Sequence, residues 1–223
     1  MKKSLLTLLK LFLGLFLYAV GIALTINADL GLSPWDVYHQ GLSKLTSITM
    51  GQANIVTGLV ILIIDWKLGE RIGIGTICNM FFIGIFMDLL MLNDVIPVFH
   101  SMILRVITML IGIFIMGIAT YFYISVGLGS GPRDGIMVAI TKKTNKSVRF
   151  VRNSMEFSVL IIGYLLGGSA GIGTLIMVVG VGYSVQFAFK IFKFDVRKLE
   201  HKYIDDHVKY LKEKLSEKKN VQV

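Results

Sequence analysis

Gly31-Leu-Ser-Pro34-Trp-Asp36 recurs 98 residues downstream as Gly129-Ser-Gly-Pro132-Arg-Asp134. Gly73-Ile-Gly-Thr76 recurs unchanged, at the same spacing of 98, as Gly171-Ile-Gly-Thr174. Upstream of both, Gly21-Ile-Ala23 matches Gly117-Ile-Ala119 at a spacing of 96. Self-similarity at a fixed period marks two copies of one structural unit. The copies read as residues 1–98 and 99–193, followed by a tail over 194–223. If each copy crosses a bilayer an odd number of times, the second lies upside down relative to the first. Inverted pairs of this kind recur in secondary transporters.

Composition makes the bilayer the solvent. Of the 223 residues 54% are hydrophobic and 17% charged, whereas a soluble domain carries roughly a quarter charged residues. The mean hydropathy is +0.71. Several apolar runs approach the about 20 residues that a helix needs to cross the hydrocarbon. With three prolines and no alternating ten-residue segments, helices are expected rather than a barrel. The reading is an all-α membrane protein with six spans, near 5–27, 50–66, 72–92, 102–126, 148–167 and 171–191. Met1-Lys2-Lys3 begins like a signal peptide, but the apolar run continues to Ile26 without a small-residue cleavage site. A retained first helix is therefore expected.

The net charge of +9 invites a nucleic-acid reading until its location is considered: ten of the 23 Lys and Arg residues fall from Lys190 onward. With the N-terminus in the cytoplasm, 21 of the 23 lie inside and only Lys44 and Arg105 outside. That is the asymmetry of the positive-inside rule, and it places both termini in the cytoplasm with no nucleic-acid partner. The equivalent connectors 28–50 and 127–147 carry one and four basic residues, the opposite bias that inversion requires. Cys78 stands alone, which removes disulfides and Cys-based metal sites. No His, Asp or Glu spacing suits a metal, and no nucleophile, base and orienting group stand together, so neither a cofactor nor an enzyme is expected.

In each copy a Gly-rich turn delivers Pro and then Asp, the signature of a helix start. Short helices are expected near 34–45 and 132–143; twelve residues reach only about 18 Å, half a bilayer. Two readings stay open. One is an interfacial connector anchored by Trp35 and Tyr38, with Asp36 and Asp134 as plain caps. The other is a pair of dipping helices whose N-termini share a cavity lined by Ser33, Pro34, Trp35, Asp36, Gly131, Pro132, Arg133 and Asp134. On the second reading His39 and Gln40 argue against deep burial of the first helix.

Gly73, Gly75 and Thr76, like Gly171, Gly173 and Thr174, read as helix-packing positions, with phosphate binding a weaker alternative. Glu156 falls near the middle of the fifth span, where a carboxylate is costly and marks a cavity or a pair; Arg152 is its i,i+4 neighbour. Asp65 and Asp88 read as span-end residues in solvated or interfacial positions. Asn54, Asn79, Asn153 and Gln186 read as interhelical hydrogen-bonders. From Phe194 to Leu215, Val196, Leu199, Tyr203, Ile204, Val208, Leu211 and Leu215 recur at helical spacing among lysines. That stripe predicts a cytoplasmic amphipathic helix for the anionic leaflet, a partner or a second copy.

Gly31-Leu-Ser-Pro-Trp-Asp-Val37, Gly51-Gln-Ala53, Gly73-Ile-Gly-Thr76 and Gly127-Leu-Gly-Ser-Gly-Pro-Arg-Asp-Gly135 together resemble the YczE/YitT group of bacterial integral membrane proteins. The similarity runs over roughly 10–192, and the YczE branch fits better because YitT carries a large soluble C-terminal domain. The resemblance implies a multi-pass bacterial plasma-membrane protein and supplies no substrate or catalytic residues. The functional expectation is a small permease-like transporter of a small molecule or ion, free of cofactors and able to pair as a homodimer, with Glu156 for proton or cation coupling. The rival expectation is a non-transporting accessory protein that supports another membrane complex.

Overall fold

Ser33 ahead of Pro34 starts the first short helix. Ser33 is extended, its Oγ accepts from the Asp36 N–H at 3.3 Å, and Pro34 supplies the first helical position. In the computed structural model, which describes residues 2–195, 198–199 and 201–205, eight helices follow one another. They are α1 (Lys2–Asn27), α2 (Pro34–Thr46), α3 (Met50–Leu68), α4 (Ile74–Leu92), α5 (Met102–Ile124), α6 (Pro132–Thr144), α7 (Val148–Leu165) and α8 (Ile172–Ile191). The described residues contain no strand. Five helices, α1, α3, α4, α5 and α8, are long and apolar enough to cross a membrane. α7 coincides with the expected fifth span, but Arg149, Arg152 and Glu156 set it apart from those five. The chain is an all-helical membrane protein.

Glycines bring the central pair together. α1 crosses α5 so closely that a Cβ on Gly14 would stand 2.7 Å from the Tyr123 nitrogen. One on Gly21 would stand 2.9 Å from the Gly112 oxygen. Small residues permit this approach where apolar burial gives helices no reason to associate. α4 packs on α1, with Phe12 edge-on to Phe82 at 4.7 Å, and α8 packs on α5, with Phe114 beside Phe187. α2 crosses α7, and α6 crosses α3. The arrangement is reciprocal except in one respect: α3 lies along α4, whereas α7 and α8 do not pack along each other in the same way. Their outer faces leave Phe157, Leu175 and Tyr183 exposed.

The repeated motifs meet across the two halves. The Gly75 N–H donates to the Leu128 carbonyl at 2.7 Å, and the Gly173 N–H donates to the Leu30 carbonyl, also at 2.7 Å. Each bond maps onto the other under a shift of 98 residues. The turns need glycine: Gly31 and Gly129 have φ of +117° and +111°. A Cβ on Gly31 would stand 2.8 Å from Thr174 Oγ1, and one on Gly129 would stand 2.5 Å from Thr76 Oγ1. Gly73, Gly75 and Gly171 thus admit the other half's turn rather than a second helix, while Gly173 admits both the Leu30 turn and Met109 of α5.

Three expectations change on inspection. Asp65 is buried, not solvated, and a Cβ on Gly135 would stand 2.4 Å from its Oδ2. Asp88 is tied down as a cap for α3, accepting from the Thr49 hydroxyl and, at 2.8 Å, from the Gly51 N–H. The helix expected from Phe194 does not begin there: residues 194–195 and 201–203 are non-helical, and helix starts at Ile204. Val196, Val208, Leu211 and Leu215 of the expected stripe lie outside the described residues.

Candidate functional site

The N-terminal ends of α2 and α6 converge. Arg133, the second residue of α6, lays its guanidinium 4.4 Å from the ring centre of Trp35, the second residue of α2, a cation–π contact. Arg133 Nη2 also donates to Asn54 Oδ1 at 3.2 Å and lies 3.5 Å from His39 Nε2. His39 follows Asp36 by three residues and so shares its helix face. Its Nδ1 stands 3.6 Å from Asp36 Oδ1, ion-pair distance but too long for a hydrogen bond. Asp36 is 3% exposed and His39 1%. Ser33 Oγ donates to the other Asp36 oxygen. The result is a polar chain, Ser33–Asp36–His39–Arg133–Asn54, drawn from α2 and its cap residue, α6 and α3, with Asp36 and His39 buried and the other three half-buried.

Further groups border it. Glu156 on α7 is half-buried, lies near the Trp35 side chain, and feels Arg133 ahead of Arg152. Asp134 lies in the field of Arg152 and Arg133. Its N–H donates to the Gly131 carbonyl at 3.1 Å. A Cβ on Gly131 would stand 3.4 Å from Asn79 Oδ1, so the space before α6 faces a polar atom. Tyr18 and Tyr123, edge-on with ring centres 6.0 Å apart, interact electrostatically with Arg133 and Asp134 from the α1–α5 side. Three carboxylates and two guanidinium groups therefore share the region with two helix N-termini, whose partial positive ends favour anionic groups.

The residues named from sequence are brought together here: Ser33, Pro34, Trp35, Asp36, Gly131, Pro132, Arg133, Asp134 and Glu156 all lie in or beside this region. Gly73, Gly75, Thr76, Gly171, Gly173 and Thr174 do not; they hold the turns that lead into it. Arg152 is exposed. His39 is the residue that sequence reasoning misplaced, since its polarity argued for a wet α2 and it is instead sealed. The i,i+3 spacing from Asp36 was the available signal. Asn54 serves twice, because its Nδ2 donates to the Met80 carbonyl at 3.2 Å while its Oδ1 receives Arg133. Among the described residues no His, Cys, Asp or Glu cluster is arranged to hold a metal.

Two clefts reach toward these elements. One, of about 370 Å³, opens between α6 and α7; Ile136, Ile140, Phe150 and Met155 are among its walls, and Trp35 lines it too. Trp35 thus joins an apolar cleft to the polar chain. The other, of about 350 Å³, lies beside the Asp29–Gly31 turn and the start of α8.

Comparison with known proteins agrees with the helical architecture. The chain is 36% identical over 180 residues to a protein of Bacillus subtilis named "Uncharacterized membrane protein YczE", covering 79% of this chain and 82% of that one. It is 34% identical over 181 residues to an "Uncharacterized protein" of Haemophilus influenzae, covering 81% and 82%. A third relative, "Uncharacterized protein YyaS" of Bacillus subtilis, is 29% identical over 169 residues, covering 74% and 84%. No solved structure matches. Residues 5–190 match a family of unknown function, DUF6198, and with the YczE likeness over most of its length the chain belongs to this YczE-type family of membrane proteins.

Proposed function

We propose that the protein is a small secondary-transporter-like permease of the bacterial plasma membrane. It is built from two inverted three-helix repeats, with six spans, both termini in the cytoplasm, and α2 and α6 each reaching half-way into the bilayer. The observation that carries this reading is the convergence of the α2 and α6 N-termini on one polar chain with Asp36 and His39 sealed at its centre. Short helices from two repeats that meet end-on at a central polar site are the recurring construction of alternating-access carriers. The other ends of the two helices fit the same picture: Lys44 reaches the Gly167 carbonyl after α7, and Lys142 pairs with Glu70 after α3. Glu156 is the candidate coupling group, placed where it can exchange a proton or cation near Arg133. The exposed apolar faces of α7 and α8 suit lipid or a second copy of the chain.

Two experiments test this. In proteoliposomes, the parent should move at least one member of a panel of small metabolites and ions. Glu156→Gln should uncouple or abolish that flux while leaving the protein folded. No flux across a broad panel, or a Glu156→Gln variant indistinguishable from the parent, would favour an accessory role instead. For topology, single cysteines are introduced at Leu45 and Lys143 in a Cys78→Ser background. A membrane-impermeant reagent should reach position 45 only from outside and position 143 only from inside. Labelling of both from one side would end the inverted-repeat reading.

A further inference from the structure

We infer that the chain's own segment His201–Asp205 is a latch that closes over the turn leading into α6 and covers one approach to the polar site. The segment is held by backbone as well as side chains. The Lys202 N–H donates to the Gly127 carbonyl at 2.7 Å, and the Ile204 N–H donates to the Ile72 carbonyl at 3.0 Å. The two bonds bridge the second copy's turn and the residue just before the first copy's Gly73-Ile-Gly-Thr76. The Gly129 N–H donates to His201 Nδ1 at 3.3 Å. Arg71 stacks on Tyr203 at 4.4 Å and reaches Asp205 at 3.6 Å.

The repeat supplies an internal comparison. Shifted by 98 residues, Gly127 corresponds to Asp29 and Ile72 to Ala170. Those two residues border the open cleft of about 350 Å³ beside the Asp29–Gly31 turn. There Arg105 ties down the Ala28 and Asp29 carbonyls, and the described residues place no strand over the cleft. One approach is covered by the chain and its counterpart is open. The side on which the latch lies, the cytoplasm, follows from the orientation proposed above; its contacts do not depend on transport.

The latch is also sensitive to pH. His201 must keep Nδ1 unprotonated to accept from Gly129, and burial holds its imidazole below the ordinary value. Asp134 on α6 opposes this by favouring protonation, while Arg71, Lys202 and Asp205 also carry charge at the docked segment. The released segment binds the proton more readily than the docked one. Docking is therefore full above the ordinary imidazole value of about 6.5 and weakens as pH falls below it.

The test uses the full chain with Cys78→Ser and Ser130→Cys, which places a thiol in the covered turn. The rate of modification by a membrane-impermeant methanethiosulfonate is measured from the tail side. Lys202→Pro/Ile204→Pro deletes both backbone donors of the segment and should speed modification about tenfold or more, as loss of two hydrogen bonds implies. His201→Ala should speed it less, and lowering the pH from 7.5 to 5.5 should bring the parent's rate toward that of the proline pair at the same pH. Equal rates in the parent and both variants, or a parent-to-variant ratio that ignores pH, would overturn the latch. Because the readout is access and not flux, its failure is separate from failure of the permease reading.

Discussion

Arg133→Gln is expected to destabilise the protein by about 1.5–3 kcal/mol, the range for losing a hydrogen bond to a charged group. The reason is what remains. Asp36 stays sealed at 3% exposure and Glu156 keeps its carboxylate, but the cation whose field reaches both is gone. Asn54 also loses its donor and Trp35 its cation–π partner. Two companions make the result diagnostic. Arg133→Lys keeps the charge but not the planar fork, and should fall between parent and Gln. Arg133→Gln/Asp36→Asn also neutralises the nearby carboxylate that the guanidinium's field reaches and should recover part of the loss, a coupling read by a double-mutant cycle. Thermal unfolding in detergent is the measurement. A Gln variant that melts with the parent would mean the guanidinium is solvated and does not link Asn54 to His39.

The second large effect lies in the turns. Gly31→Ala and Gly129→Ala each combine a left-handed φ, costing about 1–3 kcal/mol, with a Cβ pressed against a threonine hydroxyl and backbone, costing about as much again. Each should lower folded yield and melting temperature sharply. Two controls separate the contributions. Gly69 has φ +84° with nothing within 4 Å of a Cβ, so Gly69→Ala should show the strain alone. Gly182 lies within α8 with open space around it, and Gly182→Ala should be neutral or slightly stabilising. If Gly31→Ala proves as mild as Gly69→Ala, the close contact between halves is not what holds the turn.

Much of the local structure was legible because each helix carries its own punctuation. Ser33-Pro34 and Gly131-Pro132 start α2 and α6 at the expected residues, and the observed ends at Thr46 and Thr144 lie one residue beyond those expected. The long helices agree with the expected spans to within three residues at each end. The site was legible only in part. Proline, Asp and the mid-span Glu156 announce themselves along the sequence, but Arg133 joining Asn54 and His39 spans 79 and 94 residues. No local signal encodes that meeting. Arg133 was counted among loop charges because hydropathy treats arginine as exposed, whereas here an indole face, an amide oxygen and nearby carboxylates accommodate it. Asp65 misled for the converse reason: a carboxylate near a helix end looks solvated until Gly135 of another helix lies against it.

The crossed bonds from Gly75 to Leu128 and from Gly173 to Leu30 also govern when the molecule can finish folding. As the chain leaves the ribosome, the groove at Gly73–Thr76 stays empty until residue 128 has been made, and Leu30 waits longer still for Gly173. Early-born helices are therefore held incomplete through most of synthesis, with backbone donors unmatched in a solvent that cannot satisfy them. Native closure becomes a late, concerted event, reached only after nearly the whole length has entered the membrane.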